Sequence, residues 1–272
     1  MKQMTIAGVP EHFNLPLIDA VAAAADMRWQ AEPQGTGAMV AGLCDGSFDA
    51  ALLLTEGAVA ALAAGRTLSI AATWVESPLQ WGIHVPAHSD IETEGGIQGR
   101  RYAISRFGSG SHLMACAHAQ AAGRGVEELQ FVTVGTLDGA RRAFAEAAAD
   151  VFFWERTMTA PLVDSGEFRR VGLFEAPWPA FVLCARDSLA AADRSRLQAV
   201  FDDACARATV FASGGEASVE RVSRTYGIDA TDVRAWLDRT RWASSLTRDE
   251  AMLDRVANAL FSAGIIDAIP AL

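Results

Sequence analysis

The sequence predicts an α/β protein with two lobes and a ligand cleft between them. Short β-branched or aromatic runs alternate with helical stretches over the first two thirds of the chain, a pattern typical of a parallel sheet covered by helices. After Arg186 this pattern stops, and the remainder is predicted to be helical. Two turn-rich interruptions, His84–Gly99 and Glu175–Pro179, predict two crossings between the lobes.

Two crossings imply that one lobe is inserted between the two halves of the other. The predicted boundaries are residues 1–86 with 179–272 for the first lobe and residues 87–178 for the second. A cleft between such lobes closes by hinge motion around a ligand. The predicted strands are Met4–Val9, Met27–Glu32, Asp49–Leu54, Leu68–Val75, Leu79–Val85, Arg101–Phe107, Gln130–Val134, Asp150–Phe153, Phe168–Phe174 and Ala180–Ala185.

Composition limits the classes of partner. The chain has 272 residues, of which 51% are hydrophobic and 21% charged, so it can bury a large core. The net charge of −10 opposes phosphate backbones and anionic lipid, which argues against nucleic acid or a membrane surface as the main partner.

We expect a cytoplasmic location without direct membrane insertion. The segment Met1–Pro10 has no apolar run typical of a signal peptide, and no later stretch has the roughly 20 apolar residues that span a bilayer. The widely spaced cysteines, Cys44, Cys116, Cys184 and Cys205, are interpreted as buried thiols of a reducing compartment rather than a disulfide pair.

The glycine- and serine-rich turn 106–112 is the sharpest local feature. It lies between a predicted strand and an alanine-rich helix, where free helix amides and serine hydroxyls can hold a carboxylate, sulfonate or phosphate. Its spacing fits neither a dinucleotide fingerprint nor a nucleophile elbow. The alternative is an ordinary capped turn. The candidate ligand-binding residues are Arg106, Phe107, Gly108, Ser109, Gly110, Ser111 and His112.

Polar and aromatic residues recur at the carboxyl ends of the other predicted strands. Parallel sheets bind ligands at that edge, so these residues are predicted to share one pocket for a small planar or zwitterionic ligand. Each residue alone also fits a helix cap or a packed aromatic. The set comprises Glu11, His12, Phe13, Asn14, Thr36, Thr55, Glu56, Trp74, Gly135, Trp154 and Glu155.

No metal, cofactor or catalytic residue is predicted. His84 and His88 are separated by Pro86, which prevents the helix that would align them as ligands. Glu92 and Glu94 lie in a predicted surface loop, so no acid–base pair can be nominated.

The segment Val219–Leu237 has the apolar spacing and central glycine of a helix-turn-helix. Its second helix carries Asp232 and Asp238, whereas a DNA-reading helix normally needs net positive charge. A packed helical hairpin is therefore favoured over a DNA-binding regulator.

Four motifs give the chain a resemblance to a known family: Gly8–Pro16, Ser105–His112, Phe152–Glu155, and Trp236–Leu237 with Arg241–Trp242. The chain resembles substrate-binding proteins of ABC transporters of the type II periplasmic-binding-protein fold, a family that includes receptors for thiamine-pyrimidine precursors, alkanesulfonates and nitrate. The resemblance extends over nearly the whole chain. It implies two α/β lobes, two crossover segments, and a ligand clamped between the lobes by the candidate residues above.

The resemblance predicts a binding protein for an anionic or aromatic heterocyclic metabolite. Exported receptors of the family deliver ligand to a membrane permease, a partner this chain would meet only if it is exported by another route. The alternative is a cytosolic enzyme on the same fold, similar to the futalosine-pathway enzymes or the pyrimidine synthase, although the cysteine-rich motif of the latter is not found.

Overall fold

A computed structural model describes residues 3–272; Met1 and Lys2, at the start of the predicted first lobe, lie outside the described residues. Each of the ten predicted strands is present, with ends that differ from the prediction by at most three residues. The strands are β1 Met4–Gly8, β2 Met27–Ala31, β3 Ala50–Leu54, β4 Leu68–Val75, β5 Gln80–Pro86, β6 Arg101–Ile104, β7 Gln130–Thr133, β8 Val151–Glu155, β9 Phe168–Glu175 and β10 Phe181–Arg186.

Ten α-helices connect or flank these strands within the described residues. Six lie among the strands and four follow the last strand, as the loss of strand pattern after Arg186 predicts. The helices are α1 Leu15–Ala23, α2 Thr36–Asp45, α3 Thr55–Ala63, α4 Gly110–Ala121, α5 Leu137–Ala145, α6 Ala160–Asp164, α7 Ala191–Ser213, α8 Glu216–Tyr226, α9 Ala230–Leu237 and α10 Glu250–Ser262.

The strands form two sheets of five, in the orders β2-β1-β3-β10-β4 and β7-β6-β8-β5-β9. The middle strands, such as β3 with the sequence Ala-Ala-Leu-Leu-Leu, are buried along most of their length. Such near-continuous apolar runs are typical of strands covered by helices on both faces. Each sheet with its helices therefore forms one lobe, as predicted.

Both sheets are mixed rather than purely parallel. In the first sheet β10 runs antiparallel to β3 and β4, and in the second β5 runs antiparallel to β8 and β9. These are the two strands that the chain enters directly from the other lobe. Because the chain leaves β4 and β9 at the edge facing the partner lobe, the next strand starts at that edge and must run outward.

The crossings lie at residues 76–79 and 176–180. The second agrees with the predicted interruption Glu175–Pro179, but the first does not. The glycine-rich segment His84–Gly99 leads from β5 to β6 within the second sheet, and β5 itself pairs there, ahead of the predicted lobe boundary at residue 86. The first crossing, at residues 76–79, contains no glycine, and its residues Ser77 and Leu79 are buried. It therefore does not have the composition of an exposed loop.

The two crossings bind one another. Ala180 N donates to Ser77 O at 3.2 Å, and Ala176 N donates to Leu79 O at 3.3 Å. The start of α3 fixes the second crossing: Thr55 Oγ1 donates to Pro179 O at 2.6 Å. The lobes are therefore joined by two short segments that are hydrogen bonded to each other.

Trp74 belongs to the core of the first lobe. It is fully buried near the end of β4, and its ring meets that of Phe201 on α7 edge to face, with centroids 5.3 Å apart. Within residues 3–272 no helix is both long and apolar enough to cross a bilayer.

We expect Trp74→Ala to destabilise the protein by about 3–5 kcal/mol, because truncating a buried tryptophan leaves a cavity. Urea unfolding followed by circular dichroism measures the change. Phe107→Ala is the control, since Phe107 is 67% exposed and its loss should change stability by less than about 0.5 kcal/mol. Equal effects of the two substitutions would contradict the assignment of Trp74 to the core.

Candidate functional site

A cavity of about 460 Å³ lies between the two lobes. Its walls come from the carboxyl ends of strands in both sheets and from the loops that follow them, where open α/β sheets bind ligands. Leu79 and Phe181, at the ends of the two crossings, line it as well. Its size suits a small molecule.

The amino terminus of α4 forms one wall. Ser109, Gly110 and Ser111 line the cavity, and no side chain caps the first turn of the helix. The serine hydroxyls bind within the loop instead: Ser109 Oγ donates to Arg106 O at 2.7 Å, and Ser111 Oγ accepts from Ser105 N at 2.9 Å. The helix amides are therefore left to an anion.

Position 110 requires a glycine because neighbouring side chains approach its backbone closely. A Cβ on this residue would lie 2.5 Å from Leu54 Cδ1 and 2.6 Å from Trp81 Cη2. Leu54 belongs to the first sheet and Trp81 to the second. The first turn of α4 thus sits where the lobes meet, and a larger side chain there would enter the cavity or part the lobes.

Arg106 extends from the second lobe to the first. Its Nη1 donates to Gln34 O, and its guanidinium lies where a side chain on Gly37 would be. Its buried Nη2 finds no partner among the described residues, and Arg106 lines the cavity. One donor of a permanent cation therefore remains for a ligand, beside the amides of α4.

Two carboxyl groups, one from each lobe, line the same cavity. Burial, with the charge of Glu155, raises the pKa of Glu11 to about 8. Burial raises the pKa of Glu155 to about 7, although Met158 N donates to its Oε2 at 2.6 Å. At neutral pH this pair holds at least part of a proton, chiefly because burial disfavours the charged carboxylates and to a lesser extent because the charge of Glu155 repels that of Glu11.

Aromatic surfaces complete the cavity. Trp154 is half-buried and stacks on Phe152, with centroids 5.0 Å apart and planes 22° from parallel. Trp81 is 4% exposed, and its buried Nε1 has no partner among the described residues. A ligand in the cavity would meet one indole face and one free indole donor.

The structure brings eight of the predicted residues to the cavity. They come from four separate parts of the chain, which supports the hypothesis that distant strand ends share one pocket. They are Glu11, Thr36, Arg106, Ser109, Gly110, Ser111, Trp154 and Glu155.

The other predicted residues near the start of the chain support the cavity from behind. His12 is fully buried against Trp236, with ring centroids 4.2 Å apart, and burial lowers its pKa to about 3. Phe13 packs on Phe181, and Asn14 Nδ2 donates to Val9 O at 2.6 Å. These contacts fix the loop that carries Glu11.

Thr55 and Glu56 face the second crossing rather than the cavity. Thr55 binds Pro179, as described, and Glu56 accepts a hydrogen bond from Trp178 Nε1 at 2.8 Å. Burial raises the pKa of Glu56 to about 7. Trp74 lies in the core and also does not line the cavity.

Four further predicted residues lie beside the cavity without lining it. Phe107, His112 and Phe131 form an aromatic group, and Gly108 N donates to His112 Nδ1 at 3.1 Å. Gly108 and Gly135 have positive φ values of 77° and 81°. These glycines allow the backbone turns that lead into α4 and α5.

The prediction missed several lining residues. Leu54, Leu79, Trp81, Met158 and Phe181 supply much of the apolar surface. Trp81 and Phe181 lie at the beginnings of β5 and β10, the two reversed strands, so a search of strand carboxyl ends overlooks them. A strand that follows directly after a crossing starts at the cleft. The prediction of two crossings is therefore the signal that would have found these residues.

The predicted helix-turn-helix is a packed hairpin of α8 and α9. Trp236 is buried against Phe13 and Trp242, and Arg234 of α9 pairs with Glu216 of α8 at 2.7 Å. The tryptophan of the second helix therefore packs in the core, and its arginine forms an ion pair.

Comparison with solved structures decides the fold. The chain superposes on the Candida albicans CA3427 gene product, which exhibits the generic periplasmic binding protein fold, with a TM-score of 0.90 and 21% identity, over 98% of this chain and 92% of that one. The chain has the periplasmic-binding-protein fold. Residues 81–174 also match the sequence model of a family described as Ca3427-like PBP, so the predicted resemblance is confirmed.

Sulfonate-binding proteins share this periplasmic-binding-protein fold. The alkanesulfonate-binding protein SsuA from Xanthomonas axonopodis pv. citri, bound to MOPS, has a TM-score of 0.83 and 19% identity, covering 99% of this chain and 96% of that one. The aliphatic sulphonate binding protein SsuA from Escherichia coli has a TM-score of 0.71 and 19% identity, covering 99% and 90%. A search of curated proteins found no match.

The carboxyl pair predicts a pH-dependent stability. A carboxyl whose pKa rises from 4.5 unfolded to about 8 folded stabilises the native state below pH 4.5 and loses that contribution as the pH rises to about 8. We therefore expect Glu11→Gln to raise Tm at pH 8 by roughly 3 °C or more, with a smaller gain at pH 5.

Thermal unfolding at both pH values measures this difference. Glu92→Gln serves as the control, because Glu92 is exposed in the β5–β6 loop. A gain that is equal at pH 5 and pH 8 would show that Glu11 ionises normally in the folded protein.

Proposed function

We propose that this protein is a binding protein for a small molecule with a sulfonate or similar anionic group. The observation that carries the proposal is the convergence of uncapped α4 amides, the free Nη2 of Arg106 and the free Nε1 of Trp81 on one interlobe cavity. Such donors suit an oxyanion, which accepts several hydrogen bonds at once. That SsuA from Xanthomonas was solved with MOPS, a sulfonate, supports the choice of group.

Trp154 gives the ligand its second contact. Its partly exposed indole lies at the end of β8 and lines the cavity together with Leu54 and Phe181 of the first lobe. A flat or aliphatic portion of the ligand would stack there and bury apolar surface. An anionic head with a short apolar or heterocyclic body therefore fits the cavity.

We also propose that the lobes close on the ligand by a hinge at the two crossings. Only residues 76–79 and 176–180 join the sheets. Arg106 is the interlobe latch, since it binds Gln34 of the first lobe from the second. A receptor that closes in this way suits delivery to a membrane permease, as in ABC importers.

Ligand binding is tested by isothermal titration calorimetry with MOPS and butanesulfonate. We expect Gly110→Trp to weaken binding about 100-fold or more, because the indole would fill the cavity and remove contacts to a charged group worth about 1.5–3 kcal/mol each. Gly95→Trp is the matched control, since only Thr93 Oγ1 lies within 4 Å of a Cβ at Gly95, at 3.9 Å.

Should Gly110→Trp fail to fold, Arg106→Gln tests the same wall and should weaken sulfonate binding about tenfold or more. If the unaltered protein binds neither ligand, or if both site variants bind as well as Gly95→Trp, the proposed anion site is wrong. Recovery of the ligand unchanged after long incubation separates a binding protein from an enzyme.

Hinge closure is tested by small-angle X-ray scattering with and without MOPS. The radius of gyration should fall when ligand binds. Gly37→Val should hold the lobes apart in the presence of ligand, because its side chain would occupy the position of the Arg106 guanidinium. Gly95→Val is the control. A radius that is unchanged by ligand in the unaltered protein would contradict closure.

A further inference from the structure

We infer that the ligand is a zwitterion, whose cationic group lies between Glu11 and Glu155 while its anionic group lies at the start of α4. This inference rests on the proposed function and specifies the other end of the ligand. It follows from the opposite character of two groups of residues that line one cavity.

No salt bridge among the described residues holds either of the two carboxyls that line the cavity. Glu11 follows β1 in the first lobe and Glu155 ends β8 in the second, and both line the cavity. Arg156 and Arg170 are near enough for their charges to act on Glu155, whereas no arginine contributes to the shifted pKa of Glu11. A buried carboxyl pair without a counter-ion costs free energy, which a ligand cation would offset.

The groups around Glu11 and Glu155 do not provide an ion-pair partner for either carboxyl. Tyr226 faces Glu11 from α8, and burial with the charge of Glu11 raises the pKa of that phenol to about 12, so it stays neutral. Arg170 from β9 and Arg156 lie on the side of Glu155, and Arg156 is 3.9 Å from Asp232. The buried His12 beside Glu11 has a pKa lowered to about 3 and supplies no charge.

Trp81 connects the carboxyl pair to the wall that is proposed to bind the anion. It is 4% exposed, lines the cavity, and keeps its Nε1 without a partner among residues 3–272. In the β5–β8 pair Trp81 stands directly opposite Glu155, so both side chains project from the same face of the sheet. Its indole can also face a cation.

Trp81 also lies next to both of the proposed charge sites. Its Cη2 would lie 2.6 Å from a Cβ on Gly110, so the ring reaches the first turn of α4. One indole therefore separates the anion-binding amides from the carboxyl of Glu155. A ligand that reaches both sites therefore passes along the indole of Trp81.

The electrostatics favour such a ligand over a simple anion. A sulfonate alone would be attracted by Arg106 and the α4 amides but would share a closed cavity with Glu11 and Glu155. An ammonium group on the same molecule cancels that repulsion and lets both carboxyls ionise. Discrimination then comes from the penalty on ligands that leave the carboxyls unpaired.

The test compares 3-aminopropanesulfonate with butanesulfonate, which are nearly equal in size and differ in an ammonium against a methyl group. Calorimetry at pH 7 should show 3-aminopropanesulfonate binding about 10- to 100-fold more tightly, as charge-assisted hydrogen bonds of about 1.5–3 kcal/mol imply. Glu11→Gln and Glu155→Gln should each shrink that ratio, while Glu92→Gln leaves it unchanged.

Proton release gives a second readout. Because the carboxyls hold protons in the free protein, a cation placed between them should expel up to about one proton at pH 7. Titrations in two buffers of different ionisation enthalpy and without sulfonate groups, such as Tris and imidazole, measure this number. Butanesulfonate should release none.

The outcomes separate the inference from the proposed function. If both ligands bind equally and no proton is released, the anion site stands and the zwitterion inference is wrong. If neither ligand binds, the proposed function fails and the inference fails with it. If the Gln variants fail to fold, the proton count of the unaltered protein still decides between the two ligands.

Discussion

The fold depends on one constraint, which is that the chain passes between the sheets only through residues 76–79 and 176–180. These segments are short, mutually hydrogen bonded, and fixed by Thr55 at the start of α3. So short a connection forces the carboxyl ends of the parallel strands in both lobes toward each other. The interlobe cavity, with its helix amino termini, is a consequence of that arrangement.

The same constraint explains why opposite charges collect in one place. Helices that follow parallel strands begin at the cleft, and their amino ends carry partial positive charge. The loop after β1 and the end of β8 bring Glu11 and Glu155 to that edge from opposite lobes. Partial burial of Glu11 and full burial of Glu155 between the lobes raise the pKa of both carboxyls. A cavity lined by helix amides and by two carboxyls would select a ligand by its charge pattern as well as by its size.

The contact between Arg106 and Gln34 would couple ligand recognition to the proposed closure of the lobes. The same guanidinium bridges the lobes with one nitrogen and leaves another for the ligand. A ligand anion at α4 would therefore add a hydrogen bond to a residue that already spans the cleft. That hydrogen bond would stabilise the arrangement in which both walls contact the ligand.

The sequence by itself determined the ten strands, the helical end of the chain and the turn at Ser109–Ser111, because apolar runs and glycine turns act locally. It also placed Glu11, Trp154 and Glu155 at strand exits. Tertiary structure alone decided which exits share a cavity. Trp74 stands near a strand end but packs on Phe201 of α7, a helix more than a hundred residues later in the chain. Trp81 reaches the cleft from the start of a reversed strand, whose direction is set by the crossing rather than by its own residues. Strand direction and the partner of each side chain are long-range properties, and no local pattern encodes them.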